Sequence, residues 1–193
     1  MSFLQTRFSS TLAVGRARGG LALLAALALL CSCSTAPPPG VTVVTPFDLA
    51  RYEGKWYEIA RLDHSFESGL TDVSARYRAQ PDGSVEVLNR GYNPERGRWN
   101  EALGRALFTG DSQHGSLKVS FFGPFYGGYH VVALDQTGYR WSMVIGPDAG
   151  YLWILARERT LPPGVREQLL TQAKALGVDT SRLVWVPQTR SDG

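Results

Sequence analysis

Gly54-Lys55-Trp56-Tyr57-Glu58-Ile59-Ala60-Arg61 is the stretch on which the reading of this chain turns. It follows a short lead-in, Pro46–Tyr52, and begins the first regular strand. A glycine two residues before a tryptophan lets the backbone pass close by while a large ring turns into a core. Gly-x-Trp alone occurs by chance. Its weight comes from standing at the head of a series of strands at hairpin spacing.

Those strands follow in order. Val73–Ala79 alternates, with Val73, Ala75 and Tyr77 on one face and Ser74, Arg76 and Arg78 on the other, as a half-buried strand should. Gln80-Pro81-Asp82-Gly83 is a turn. Ser84–Asn93 and Arg98–Phe108 come next, separated by Asn93-Pro94-Glu95-Arg96-Gly97. Leu117–Phe122, Tyr129–Asp135, Tyr139–Ile145 and Tyr151–Arg157 complete eight, with Gly123–Gly128 as a corner. No helix interrupts them, which argues against a parallel α/β sheet. The spacing suits an all-β antiparallel sandwich or barrel followed by one C-terminal helix; eight strands closed into a barrel would leave an interior that can hold one small ligand. Pro162 and Pro163 open the helix, Val165, Leu169, Ala173 and Leu176 recur at helical spacing, and Gly177 fits the C-cap. Leu183–Val186 reads as a last short strand on the barrel's open edge.

Upstream, the chain reads as export and tethering. Residues 1–20 carry Arg7, Arg16 and Arg18, and Leu21–Leu30 is an unbroken apolar run, too short for a membrane span of ~20 residues. Leu30 and Ser32 stand at −3 and −1 from Cys33, as in a bacterial lipoprotein signal. Cys31 fits worse as the modified residue, and an ordinary secretory leader is the alternative. The expected layout is a lipoprotein signal peptide over 1–32, an acylated Cys33 with linker over 33–45, a barrel domain over 46–187 and a tail over 188–193. Ser34 is not the aspartate that retains such proteins in the inner membrane, so the expected place is the outer membrane, on its periplasmic face. The formal charge is +3 from 20 basic and 17 acidic residues, but three arginines and no acid lie in the leader. The mature chain is near neutral and gives no argument for nucleic acid.

Three separated signatures carry a family likeness: Gly54-Lys55-Trp56, Ala133-Leu134-Asp135, and Leu152-Trp153-Ile154-Leu155-Ala156-Arg157. Their order resembles the lipocalins, which implies an all-β fold with one C-terminal helix: an eight-stranded antiparallel up-and-down β-barrel. Trp56–Arg61, Lys118–Tyr129 and Tyr151–Arg157 resemble the bacterial outer-membrane branch, related to animal apolipoprotein D, and the likeness spans about residues 46–187. It departs at Leu134, where many lipocalins have threonine, which is expected to weaken the hydrogen-bonded form of that turn. The resemblance implies that Trp56 plugs the closed end of the barrel with Arg157 across its ring, Gly54 beside them. A guanidinium over an indole is favourable by ~0.5–2 kcal/mol.

If Trp56 and Arg157 point inward, alternation carries Val73, Ala75, Tyr77, Val85, Val87, Asn89, Ala102, Gly104, Ala106, Val119, Phe121, Tyr129, Val131, Ala133, Tyr151, Trp153 and Leu155 inward with them. Strand Tyr139–Ile145 has no decided facing. The candidate ligand contacts are Tyr77, Asn89, Val119, Phe121, Tyr129 and Trp153; the resemblance implies Tyr77, Asn89, Tyr129 and Trp153 in particular. Asn89 is either a structural amide or a head-group partner. A cavity ringed by aromatics with few charges suits a fatty acid or lysophospholipid, held for storage or transport in membrane maintenance.

Two rival readings are weaker. Gly110-Asp111-Ser112 resembles the start of a GDS-type esterase block, but lies in a β-turn with no histidine after His130. No nucleophile elbow, phosphate loop or zinc-helix motif is present, and His64, His114 and His130 are scattered, so no enzyme activity, metal or cofactor is expected; the alternative that the resemblance leaves is a lipocalin-fold enzyme acting on a bound hydrophobic substrate. Phe125 and Tyr126 at the Gly123–Gly128 corner would suit an interaction patch, and a homodimer is compatible with it.

Overall fold

The computed structural model describes residues 35–191. Among them are nine strands: β1 (Gly54–Leu62), β2 (Thr71–Ala79), β3 (Val85–Asn93), β4 (Arg98–Phe108), β5 (Ser116–Phe122), β6 (Phe125–Leu134), β7 (Trp141–Ile145), β8 (Leu152–Ala156) and β9 (Leu183–Trp185). A one-turn helix α1 (Leu49–Tyr52) precedes β1, and α2 (Val165–Ala175) follows β8. All pairings are antiparallel. The order β2-β3-β4-β5-β6-β7-β8-β1 closes through a β1–β2 ladder, and β9 adds to β1. The expected barrel with one C-terminal helix is therefore what the chain forms. The leader, Cys33 and its expected modification lie outside the described residues.

The β1–β2, β3–β4, β5–β6 and β7–β8 connections share one end of the barrel; the connections between the other neighbours share the opposite end. At that second end, the lead-in that the sequence left irregular is helical. Asp48 caps it, its carboxylate accepting from Ala50 N at 2.9 Å. Four residues are too few to show a helical period.

Two apolar clusters form, one on each face of the wall. The inner one includes Phe47, Tyr52, Trp56, Ala75, Tyr77, Val85, Val87, Ala106, Leu117, Val131, Leu134, Tyr139, Val144 and Leu155. The outer one packs Ile59, Leu62, Trp141, Met143, Ile145, Leu152 and Ile154 beneath Leu169 and Ala173 of α2. This decides the facing of β7: Trp141, Met143 and Ile145 go under the helix, while Val144 faces the interior. The helix starts one residue past Gly164, which takes φ +78°, so Pro162 and Pro163 precede it instead of opening it. Gly177 adopts φ +80° just after the cap, as expected.

Two β-bulges correct simple alternation. The register between β6 and β7 shifts between Val131 and Ala133, so Ala133, expected inside, lies in the outer cluster and Leu134 takes the inner place. A second shift, between Glu58 and Ala60 on β1, sends Ala60 outward. The corner is also shorter than expected, because β6 begins at Phe125 and Tyr129 is already mid-strand. The turn after β6 is firmly bonded despite Leu134. Asp135 accepts from Gly138 N at 3.1 Å and from Arg140 Nε at 2.7 Å.

Both ends of the described chain lie against the barrel. Val44 N donates to Val131 O and Gly115 N donates to Val44 O, so the segment read as linker is partly docked. Past β9, Gln188 Nε2 donates to Glu58 O and Val73 O, at 2.9 and 2.8 Å. Thr189 N and Arg190 N donate to Asp72 Oδ1.

Candidate functional site: the barrel interior

The closed end is built around Trp56, whose side chain is completely buried. Its Nε1 donates to Tyr52 O at 2.8 Å, so α1 fixes the ring's orientation. The Arg157 guanidinium carbon lies 4.0 Å from the ring centroid. Its nitrogens donate to the carbonyls of Tyr139, Lys55 and Arg51 at 3.2, 2.9 and 2.7 Å. The planar fork thus ties three chain segments together over one indole. Gly54 has φ +90°, and a Cβ there would stand 3.4 Å from Arg157 Nη1. Gly54, Trp56 and Arg157 are brought together.

Above the floor lies a chain of hydroxyls. Tyr129 Oη is 2.9 Å from Tyr52 Oη and 2.8 Å from Tyr77 Oη, and Tyr52 Oη is 3.0 Å from Ser142 Oγ. Hydroxyls donate and accept, so such a chain satisfies itself without charge. Burial pushes the Tyr52 hydroxyl up to about 12, against the hydrogen bonds to Ser142 and Tyr129. Burial raises Tyr77 and Tyr129 as well, so all three stay protonated at neutral pH. Around them, Phe47, Leu49, Val85, Val87, Ala106, Leu117 and Val119 enclose a cavity of about 10 Å³, space for about one water.

Toward the other end the interior is charged, contrary to the expectation of few charges. Arg61 is 1% exposed, Glu58 5% and Glu67 7%. Arg61 Nη1 donates to Glu58 Oε1 at 2.9 Å, Nε to Asp63 Oδ1 at 3.1 Å, and Nη2 to Glu67 O at 3.0 Å. Trp153 Nε1 donates to Glu67 Oε1 at 3.1 Å. Burial raises the Glu58 carboxyl, with Arg61 opposing it. Burial also raises Glu67, and the neighbouring Glu58 charge adds to that rise. Two buried carboxylates share one buried cation, so the cluster favours holding a proton. It also binds the 63–70 loop to the barrel. His64 continues that loop's packing, stacking on Tyr151 with centroids 3.9 Å apart.

The six candidate contacts divide by height. Tyr77 and Tyr129 belong to the hydroxyl chain. Val119, Phe121 and Trp153 are half-buried and pack against the inner cluster. Asn89 is half-buried and pairs in register with Ala75 and Ala102 on its two neighbours. Gly104 accommodates Phe121: a Cβ there would come within 2.7 Å of that ring. Sequence reasoning missed Tyr52, Ser142, Glu58, Arg61 and Glu67. Glu58 was within reach, two residues from Trp56 and hence on its face. Ser112 is exposed on the β4–β5 turn, and His130 is completely buried on the outer side of β6.

Known proteins share this plan. The lipocalin-like domain model matches residues 47–188. The outer membrane lipoprotein Blc of Escherichia coli K12 is 52% identical over 170 residues, covering 88% of this chain and 95% of its own length. Mouse apolipoprotein D is 30% identical over 161 residues, covering 78% of this chain and 82% of its own. Among solved structures, insecticyanin from the tobacco hornworm Manduca sexta superposes with a TM-score of 0.63 at 22% identity, over 81% of this chain and 88% of that one.

Proposed function

Because this chain belongs to the lipocalins, and to their outer-membrane lipoprotein branch, we propose that it carries a single-chain lipid, a fatty acid or a lysophospholipid, in its barrel. Acyl chains on Cys33 hold it at the outer membrane, and its work is storage or transport of that lipid in membrane maintenance. The carrying observation is the interior itself: an apolar lining closed at one end by Trp56 and Arg157 and bounded toward the other by the buried Arg61 cluster, with half-buried Val119, Phe121 and Trp153 above the hydroxyl chain. Burying a dozen methylenes at ~0.8 kcal/mol each supplies about 10 kcal/mol before association costs.

The floor cavity is too small for a tail. The ligand therefore lies above the tyrosines or moves Tyr129 and Phe121 aside, with Tyr77, Asn89, Val119 and Trp153 as further contacts. The protein acts by binding and not by turnover, in keeping with relatives named as lipocalins and lipoproteins. Ser112 is exposed, and His114 and Asp111 of the same turn are exposed with it, unlike a buried esterase triad. Native mass spectrometry of delipidated protein titrated with lysophospholipid and with fatty acid tests this reading. A 1:1 lipid adduct at micromolar concentration is expected; no adduct with either sinks it.

A further inference from the structure

The described chain begins on the outer face of the β5–β6 hairpin. The Ala36 backbone reaches the His130 imidazole, and His130 Nδ1 is 3.0 Å from Ser116 Oγ. His130 alternates with Tyr129 and Val131, which face the interior, so this contact is on the outside of the wall. Cys33 is three residues before Ala36. At no more than ~3.6 Å per residue, three residues of chain reach at most about 11 Å. Phe125, five residues from His130 on β6, is about 17 Å further along that strand.

The tip of the same hairpin carries exposed rings. Phe122 is 81% exposed and Phe125 73%. Lys118 Nζ sits 5.1 Å over the Tyr126 ring. Residues 116–134 contain Lys118 and no acid. Aromatic rings and a cation without a counter-charge complement the interfacial zone of an anionic bilayer. We propose that the tip of the β5–β6 hairpin is a second membrane contact: the anchor at Cys33 holds this hairpin near the bilayer and Phe122 and Phe125 insert into it. The inference rests on acylation of Cys33. A tether converts a weak surface contact into an intramolecular one, so two rings suffice where they would not for a free domain. The hairpin tip lies at the barrel end away from Trp56, so the contact brings that end to the lipid surface.

The test uses the full acylated lipoprotein in vesicles of phosphatidylethanolamine and phosphatidylglycerol. Gly123→Cys takes an NBD probe at the tip, where a Cβ meets nothing within 4 Å. Asp82→Cys, in the exposed β2–β3 turn across the barrel, is the control. Doxyl-labelled lipid is expected to quench the probe at 123 and not at 82. Adding Phe122→Ser and Phe125→Ser is expected to abolish that quenching. Unquenched emission at 123, or equal quenching at both positions, overturns the proposal. So does protection of 123 that depends on protein density without quenching, which would assign the tip to a second copy. Mass spectrometry reads acylation directly: a free Cys33 thiol removes the premise and the proposal with it, whereas lipid binding in the barrel is scored by its own titration.

Discussion

Replacing Arg61 with methionine removes one buried charge and leaves two. Arg61 is 1% exposed and its donors reach Glu58, Asp63 and the Glu67 carbonyl. Methionine fills much of the same space and donates nothing, so Glu58 and Glu67 keep their burial and lose their cation. Breaking a buried pair this way costs ~3–5 kcal/mol. At ~2–4 °C per kcal/mol for a domain of this size, Tm should fall by about 6–20 °C near pH 8. The loss should depend on pH. Both carboxyls already lie above the ordinary glutamate value of 4.5 in the fold. The folded chain therefore holds more protons than the unfolded one above that pH. The pair's stabilising contribution is full in acid and is lost as pH rises through the folded values. Without Arg61 those values rise further, and near pH 5 both groups are neutral and the vacated cation matters little. Burial lowers His130 and makes stability rise with pH over a neighbouring range, but this is common to both proteins and cancels in the difference. Urea unfolding of wild type and Arg61→Met at about pH 5 and pH 8 is the assay. Equal losses at the two pH values, or a loss below about 1 kcal/mol at pH 8, would refute the shared-cation account.

Three further predictions follow from the interior. Trp56→Ala should cost ~3–5 kcal/mol by denaturant unfolding, as a completely buried ring is truncated; a fully stable variant would contradict the plug. Tyr129→Phe removes the hydroxyl that meets both Tyr52 and Tyr77, and should cost ~1–3 kcal/mol if it strands a partner; hydrogen exchange at the α1 amides reads it, and unchanged protection argues against the chain of hydroxyls. Gly104→Ala must displace Phe121, whose ring would be 2.7 Å from the new methyl, and shift the Ser120 carbonyl at 2.9 Å, so a lysophospholipid titration followed by tryptophan emission should show altered affinity, with circular dichroism checking that the barrel still forms. Unaltered affinity would place the lipid away from Phe121.

Much of this molecule was legible because its strands are regular and its turns carry proline and glycine. Gly54, Trp56 and Arg157 could be paired before any coordinates because the family resemblance implies that meeting, and a guanidinium over an indole is a favourable contact. What escaped has specific causes. Counting by twos cannot see a bulge, so Ala133 was placed inside when Leu134 occupies that side. Buried charges run against expectation for Glu and Arg, so Glu58, Arg61 and Glu67 were assigned no place in the interior. Tyr52 and Ser142 meet across 90 residues, from a one-turn helix and a strand whose two faces are both apolar. No local pattern reports that meeting.

The seam between β1 and β2 has a consequence for how the barrel comes into being. Their ladder covers only Gly54–Tyr57 on β1. Beyond it, Ala60–Leu62 pair with β9, Val186 N donates to Ile59 O, and Gln188 bridges Glu58 to Val73. The wall is therefore stitched shut by residues more than a hundred positions downstream of the strands they join. Such distant contacts form late and slowly. The four-residue β1–β2 ladder closes the cylinder, and the last residues of the chain to be made are the ones that reinforce that seam.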